Sequence, residues 1–201
     1  MNIEKIIIKD LPVLYIKNFY SKDSHDVILD AMINMNPYEW HTDGSKTGGA
    51  KTLEGESLKH NYCLQVDDLV SREGRKYHPI LKNTRNIFNP EILDLIEEQH
   101  TFFSYIRNSN SDSTFINYYE GSSHYDFHKD TCAITAVSTF YKTPKMYEQG
   151  EFLLEDKVLD LQTGSILIFP PFFKHKASQA ICKENGKCYG RFSVAQLIVC
   201  K

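Results

Sequence analysis

The chain has 201 residues, of which 41% are hydrophobic, 24% charged and 12% aromatic, a composition typical of a globular protein rather than a disordered one. This length suits one domain with a full hydrophobic core and is short for two. The formal net charge of -3 gives no electrostatic signature of binding to nucleic acid or to an anionic membrane. No apolar run reaches the roughly 18 residues that a membrane helix needs, and we recognise no secretory signal. We therefore expect a cytoplasmic protein.

The first twenty residues contain two apolar runs, Ile6–Ile8 and Val13–Ile16, which predict two strands broken at Pro12. Ser21 is a suitable N-cap residue, so we expect a helix from there to about Met35. Its predicted buried stripe consists of Val27, Ile28, Ala31, Met32 and Met35.

Residues 41–59 are rich in Gly, Ser, Thr and Lys, which predicts a long mobile loop. Such a loop is a candidate lid over a substrate, although a disordered insertion has the same composition. Trp40 and His41 at its base are candidate substrate contacts.

A second helix is predicted after the N-cap residue Asn89, with Pro90 in the first helical position and Glu91 favourable for the helix dipole. Its predicted buried face comprises Ile92, Leu93, Leu95, Ile96, Gln99, Phe102, Phe103 and Ile106.

Beyond Arg107 the sequence changes to short β-type runs bounded by Gly, Pro, Asp or Lys. The predicted strands are Thr114–Tyr119, Ala133–Tyr141, Glu151–Leu154, Ser165–Phe169 and Arg191–Val199. Short strands at this spacing predict a sandwich or barrel. We expect a mostly β (α+β) protein in which residues 1–112 give N-terminal strands and supporting helices and residues 113–201 form the β core of a single domain.

The five cysteines are odd in number and lack C-x-x-C spacing, which favours reduced thiols. They are Cys63, Cys132, Cys182, Cys188 and Cys200. A Cys182–Cys188 disulfide across a polar loop stays open as an alternative.

Two H-x-D pairs, His124–Asp126 and His128–Asp130, lie in one short stretch. Residues two apart in an extended chain point to the same face, so either pair can offer an imidazole and a carboxylate to one ion. Two imidazoles and one carboxylate form the facial triad of non-haem iron(II) oxygenases. His175, after a buried-looking strand, is the candidate for the second imidazole. An H-x-D pair alone is a weak signal, because exposed strand ends carry the same residues by chance.

The residues around the second pair follow an ordered pattern, in which Tyr119, Gly121 and Tyr125 precede His128 and Asp130. Further along come Gly150-Glu151-Phe152-Leu153-Leu154, Gly164-Ser165-Ile166-Leu167-Ile168-Phe169-Pro170, His175 and Gly190-Arg191-Phe192-Ser193. In this order the elements resemble the prolyl-4-hydroxylase-like branch of the 2-oxoglutarate/iron(II) dioxygenase superfamily. The resemblance covers residues 114–200 closely and residues 13–35 more loosely.

The resemblance implies a double-stranded β-helix (jelly-roll, cupin-like) core. It also selects the iron(II) ligands as His128, Asp130 and His175, because the family's aromatic residue lies three positions before the first ligand, as Tyr125 does before His128. His124 and Asp126 then become candidates to lie behind the ligands or to face the substrate.

The same resemblance implies 2-oxoglutarate as co-substrate. Its distal carboxylate requires a buried cation, for which Arg191 is the candidate, with Ser193 on the same strand face as a hydroxyl donor. A polar loop before Arg191 departs from the family pattern, so Lys187 stays open as the cation. Tyr119 is a candidate to hydrogen-bond the co-substrate, and the alternative for it is a core tyrosine.

By resemblance, we expect a dioxygenase that uses O2, iron(II) and 2-oxoglutarate, with ascorbate as reductant, to hydroxylate a C–H bond and release succinate and CO2. The expected substrate is a prolyl or other peptidyl residue, an amino acid or another small molecule, and not nucleic acid. Two alternatives stay open. One is a cupin-like metal protein with non-oxygenase catalysis, which needs neither 2-oxoglutarate nor Arg191, and the other is a non-catalytic interaction module.

Overall fold

The computed structural model describes residues 2–42, 44–109, 111–184 and 186–199, with the side chain of residue 45 left out. The strands in these ranges are β1 (Asn2–Ile8), β2 (Leu11–Lys17), β3 (Lys59–His60), β4 (Tyr62–Gln65), β5 (Ser111–Tyr119), β6 (His124–His128), β7 (Ile134–Phe140), β8 (Tyr147–Gln149), β9 (Phe152–Leu154), β10 (Lys157–Leu159), β11 (Ser165–Phe169), β12 (His175–Ala177), β13 (Ala180–Cys182) and β14 (Arg191–Val199). The helices are α1 (Lys22–Asn34), α2 (Pro79–Thr84), α3 (Pro90–Glu97) and α4 (Ser104–Arg107), and 3-10 turns lie at Pro37–Glu39, Gly44–Lys46, Val66–Leu69, Gly74–Lys76, Arg85–Phe88 and Thr101–Phe103.

Two antiparallel sheets make up the core. The major sheet has the order β1-β2-β11-β7-β14-β5-β4, and the minor sheet has the order β10-β9-β12-β6-β3. Strands β13 and β8 form a separate pair. All five strands predicted beyond Arg107 are present, as β5, β7, β9, β11 and β14, with boundaries that agree to within a few residues.

The major sheet is buried on both faces. Since successive side chains of a strand point to opposite sides, each strand contributes residues to two separate parts of the core. Its outer face packs against the helices, and the residues that do so include Leu14, Ile16, Ile116, Ile134, Ile166 and Ile198 with Ile28 and Met32 of α1. Its inner face packs against β9 of the minor sheet, through Val13, Tyr15, Val137, Leu167, Phe152 and Leu154. The supporting role predicted for the N-terminal helices is therefore confirmed.

Strands β1 and β2 form a hairpin with a two-residue loop. Lys9 and Asp10 adopt φ angles of 48° and 63°, the left-handed conformation that suits the twist of such a hairpin. The predicted break at Pro12 is wrong, since this residue lies inside β2 opposite Ile7. Pairing of β2 with β11 begins only at Leu14, so the missing N–H of proline leaves no bond to β11 unmade.

The first predicted helix is confirmed as α1. The Ser21 side chain accepts a hydrogen bond from the backbone N–H of Ser24 at 3.2 Å, as an N-cap does. Ile28 and Met32 of the predicted stripe are fully buried, but Val27 is 46% exposed, so its assignment to the buried stripe is wrong.

The second predicted helix is shorter than expected. Asn89 caps it and Pro90 begins it, but α3 ends at Glu97. His100 is extended, and its side chain accepts from the N–H of Phe102, which starts a new turn and interrupts the helix. The predicted buried face is divided between α3, a 3-10 turn and α4, and Leu95 is 38% exposed.

The four cysteines of the described ranges, Cys63, Cys132, Cys182 and Cys188, are free thiols. The alternative of a Cys182–Cys188 disulfide is therefore wrong, while Cys200 lies outside the described residues. None of the helices that the structure describes has both the length and the apolar character needed to cross a membrane.

Candidate metal centre

A cavity lies between the two sheets, and both contribute to its lining. The major sheet contributes alternate residues of β5, β7 and β14, and the minor sheet contributes His128, His175, Phe152 and Ala177. Because these positions alternate with core positions along each strand, the fold itself gathers polar side chains at this place.

Within this cavity the structure brings together the three predicted metal ligands. His128 at the end of β6 pairs directly with His175 at the start of β12, and the two rings lie 4.1 Å apart between centroids. The carboxylate of Asp130 lies 3.4 Å from Nε2 of His175 and 3.9 Å from Nε2 of His128. The potential ligand atoms all lie within 4.8 Å of one another, a spacing that one ion can bridge.

Hydrogen bonds fix the orientation of both imidazoles. Nδ1 of His128 donates to the backbone carbonyl of Asp126 at 2.7 Å, and Nδ1 of His175 donates to that of Phe173 at 3.0 Å. Since a carbonyl oxygen only accepts, each Nδ1 carries a hydrogen, which leaves Nε2, the ring nitrogen nearest Asp130, as the position for a metal. This is the tautomer that a metal ligand requires.

The protonation states also suit a cation. Burial lowers the pKa of His128 to about 3, and the neighbouring charge of His175 acts in the same direction, so the imidazole of His128 is neutral at physiological pH. The Oγ1 of Thr135 donates to Asp130 Oδ2 at 2.7 Å, which holds the carboxylate toward the histidines. Two imidazoles and one carboxylate are a donor set that fits iron(II).

The other H-x-D pair lies at the edge of the minor sheet and not in the cavity lining. Together with His60, His124 and Asp126 form a second group of potential ligands, but the Asp126 carboxylate is bound by Lys176 at 2.7 Å. That hydrogen bond is the main cause of the lowered pKa of Asp126. Asp126 supports the centre only through its backbone carbonyl, which accepts from His128, and its side chain does not face the cavity.

Arg191, the predicted cation, lines the same cavity and is 2% exposed. Its Nη1 donates to the carbonyl of Gly150 at 2.6 Å and its Nη2 to that of Ser178 at 3.4 Å. Nε has no hydrogen-bond partner, and Arg191 forms none of the ion pairs found among the described residues. A buried guanidinium with an unpartnered donor and no neighbouring acid fits an anionic ligand.

Two other predicted co-substrate residues surround this guanidinium. The ring of Tyr119 lies 4.6 Å from it, and burial raises the pKa of the tyrosine hydroxyl, which therefore stays protonated. Ser193, two residues further on β14, faces the same cavity. Lys187, the alternative cation, is exposed and absent from the lining, and its backbone carbonyl accepts from Lys142.

Lys59, which the sequence prediction missed, is a second buried cation in the cavity. It is 5% exposed and lies on the two-residue strand β3 opposite Tyr125. Its Nζ donates to Thr47 Oγ1 at 3.3 Å and to Cys63 Sγ at 3.0 Å. A lone lysine in a Gly- and Lys-rich segment carries no sequence signal that separates it from exposed lysines such as Lys51.

The loop between residues 44 and 59 packs against the cavity. The N–H of Ala50 donates to the Tyr125 hydroxyl at 2.8 Å, and Lys51 and Ser57 form an isolated antiparallel β-bridge. Thr47 and Gly48 line the cavity. The predicted loop is therefore present, and its mobility and its opening as a lid stay predictions.

The proposed substrate contacts at the base of this segment are wrong. Trp40 is 6% exposed, donates to the Met35 carbonyl at 3.1 Å and packs against Phe192 in the outer core. His41 is exposed and pairs with Cys63 through its backbone. Neither residue lines the cavity.

Comparison with known proteins yields matches to solved structures alone: no protein-family model matches the chain, and no curated protein matches it. The chain is similar to a prolyl-4-hydroxylase from Pseudomonas putida, with a TM-score of 0.54, 12% identity, and 94% of this chain and 92% of that one covered. It is similar to the non-heme alpha ketoglutarate dependent epimerase SnoN of nogalamycin biosynthesis, with a TM-score of 0.55, 14% identity and coverages of 94% and 78%. A third match is NgTET1 in complex with 5mC DNA, with a TM-score of 0.52, 16% identity and coverages of 94% and 72%.

At these identities the likeness concerns the fold. The structural neighbours are 2-oxoglutarate/iron(II) oxygenases and include a prolyl-4-hydroxylase, and their fold is the double-stranded β-helix. The predicted fold class is therefore confirmed, and the chain has the fold of the 2-oxoglutarate/iron(II) oxygenases.

Proposed function

We propose that this protein is a 2-oxoglutarate- and iron(II)-dependent dioxygenase that hydroxylates a C–H bond and releases succinate and CO2. The observation that carries the proposal is the convergence, in one cavity, of two imidazole Nε2 atoms and the Asp130 carboxylate with a buried Arg191 that has no acidic partner. The metal ligands alone would also suit a hydrolase, and a buried arginine alone would suit any anion-binding protein. Together they match the two components of this chemistry, a divalent metal and a dicarboxylate.

His128, Asp130 and His175 are the residues that would hold iron(II), and Arg191 with Ser193 would bind the distal carboxylate of 2-oxoglutarate. A metal held by three protein ligands on one side keeps its remaining positions open, and bound iron(II) supplies the activation of O2 that drives oxidation of the substrate. Tyr119 stays protonated because of its burial, so its hydroxyl is available to donate a hydrogen bond to the co-substrate.

The protein's other contribution is exclusion of water. Phe115, Val137, Phe152 and Leu197 line the cavity, and Thr47 and Gly48 cover it on the side of the segment 41–59. Apolar walls around the open metal positions keep solvent from competing with substrate. For the substrate we favour an amino acid or a peptidyl residue such as proline, and the net charge of -3 argues against nucleic acid.

The test is an assay of succinate formation from 2-oxoglutarate by the purified protein with iron(II), ascorbate and O2. We expect turnover that requires both iron(II) and 2-oxoglutarate, that proceeds slowly without a second substrate, and that disappears in His128→Ala. A protein that binds iron(II) and yet forms no succinate, with or without peptides and amino acids, would be a metal protein of another kind.

A further inference from the structure

A second cation in the cavity is left over once the residues of the proposed function have been assigned. Lys59 is buried on β3, its ammonium lies 5.3 Å from the ring centroid of Tyr125 and 5.6 Å from that of Phe115, and it donates only to a hydroxyl and a thiol. Among the described residues no carboxylate lies within 4.0 Å of it, since none of the ion pairs includes it. Burying an ammonium without an anion is costly, and ring faces and neutral acceptors offset that cost incompletely.

Lys59 does not belong to the site of Arg191. Arg191 contacts Gly150, Ser178 and Tyr119, and none of these residues is among the contacts of Lys59. Instead, Lys59 is linked to the metal centre through Tyr125, whose ring stacks on His128 at 3.6 Å with an interplanar angle of 10°. The cavity therefore offers two separate positions for anions.

The charges of the cavity indicate what occupies the second position. Its lining contains two cations, Lys59 and Arg191, and one carboxylate, Asp130, and an imidazole that binds a metal does so in its neutral form. Iron(II) and doubly charged 2-oxoglutarate cancel each other when both are bound. One positive charge is left without a counter-ion, and with Arg191 assigned to the co-substrate it is the charge of Lys59.

We propose that Lys59 binds a carboxylate of the primary substrate, which is therefore a free carboxylic or amino acid and not an internal residue of a peptide. This inference rests on the proposed function, because it assigns Arg191 to 2-oxoglutarate. The carboxylate would approach under Thr47 and Gly48, which line the cavity beside Lys59, while the carbon chain extends toward Phe115 and Leu197. An internal prolyl residue offers only amide groups, which leave the ammonium unpaired.

The experiment measures binding of matched probes by calorimetry to the protein loaded with Mn(II) and 2-oxoglutarate without O2. The probes are L-leucine, L-phenylalanine and hexanoate, each with its primary amide, and acetyl-Gly-Pro-Gly with a free or an amidated C-terminus. We expect at least one of the three small acids to bind about tenfold or more tightly than its amide, as is typical of a hydrogen-bonded ion pair. Lys59→Met should abolish that preference, whereas Lys51→Met, which removes an exposed lysine of the same segment, should retain it.

Several outcomes overturn the proposal. On the wild-type protein they are equal binding of acids and amides, no binding of any small acid, and preferential binding of either peptide probe. On Lys59→Met it is an acid preference that survives the substitution, which would mean that Lys59 only donates hydrogen bonds to Thr47 and Cys63. The comparison of acids with amides on the wild-type protein stands even if Lys59→Met does not fold. Failure of the proposed function is separate: it appears as absence of succinate formation, or as a 2-oxoglutarate affinity that depends on Lys59 rather than on Arg191.

Discussion

The two sheets contribute differently to the site. The major sheet has long strands, with nine residues in β5 and in β14, and its inner strands β7 and β11 are buried along their whole length. The minor sheet has strands of two to five residues, and Val158 in its edge strand β10 is 65% exposed. The major sheet carries Arg191 and Ser193, and the minor sheet carries His128 and His175.

The difference shows what fixes the positions of the site residues in each sheet, and the two sheets with their site residues are called the two halves of the site. Arg191 begins strand β14, which a long ladder of backbone pairs joins to β5 and β7. The two candidate metal ligands His128 and His175 lie on short strands, so their orientation depends on local hydrogen bonds from Nδ1 to backbone carbonyls. If the two halves are functionally distinct, substitution of His128 or His175 in the minor sheet should abolish metal binding. Substitution of Arg191 in the major sheet should weaken co-substrate binding with the metal still bound.

The largest effect is expected for a ligand of the minor sheet. His175→Ala removes one of three ligand groups, so Mn(II) affinity, measured by electron paramagnetic resonance, should fall by more than the ~100-fold that loss of an outer partner causes. The matched control is His124→Ala, which belongs to the His60–His124–Asp126 group outside the cavity lining and should leave Mn(II) affinity at the cavity unchanged. Loss of the tight site in His124→Ala with its retention in His175→Ala would move the metal to the edge of the minor sheet.

A smaller effect on a different ligand is expected for the major sheet. Arg191→Met should cost about 2–5 kcal/mol of 2-oxoglutarate binding, or roughly 30-fold or more in Kd, while Mn(II) affinity stays as in the wild type. Lys187→Met, which removes an exposed lysine, should change neither. The ligand-free Arg191→Met protein should be no less stable to urea than the wild type, because the substitution removes a buried charge that has no acidic partner.

The contrast between the sheets also explains how much could be predicted from the sequence. Strands β11 and β14 were predicted at their observed boundaries. Strand β11 is buried on both faces and leaves a nearly continuous apolar run, whereas β14 was recognised by β-type residues such as Phe192, Val194 and Val199. The two-residue strand β3 and the three-residue strand β12 leave no such pattern, although β12 begins at the predicted ligand His175.

The site was predicted where several residues repeat a family pattern in order, as for His128, Asp130 and Arg191. Lys59 could not be predicted, because its burial depends on β3 pairing with β6 and on the folding of residues 44–50 above it, which are tertiary effects. The position of His124 outside the cavity lining has the same origin. In sequence the two H-x-D pairs are alike, but in the structure β12 lies opposite the second pair and the edge strand β3 opposite the first.

The smallest expected effect tests the contact that joins the two halves. Thr135 lies on β7 of the major sheet and donates to Asp130, so Thr135→Val should lower Mn(II) affinity about 10- to 100-fold through a misplaced carboxylate. The control is Thr84→Val in α2, a buried threonine that donates to the Leu81 carbonyl at 3.3 Å, remote from the cavity lining. Both substitutions should reduce the free energy of unfolding by about 0.5–1.5 kcal/mol, measured in urea, so equal stability with unequal Mn(II) affinity isolates the positioning role of Thr135. Unchanged Mn(II) affinity in Thr135→Val would mean that Asp130 is positioned without Thr135, by its N–H, which donates to the Pro171 carbonyl at 2.9 Å in the turn between β11 and β12. Metal binding would then not depend on this contact with the major sheet.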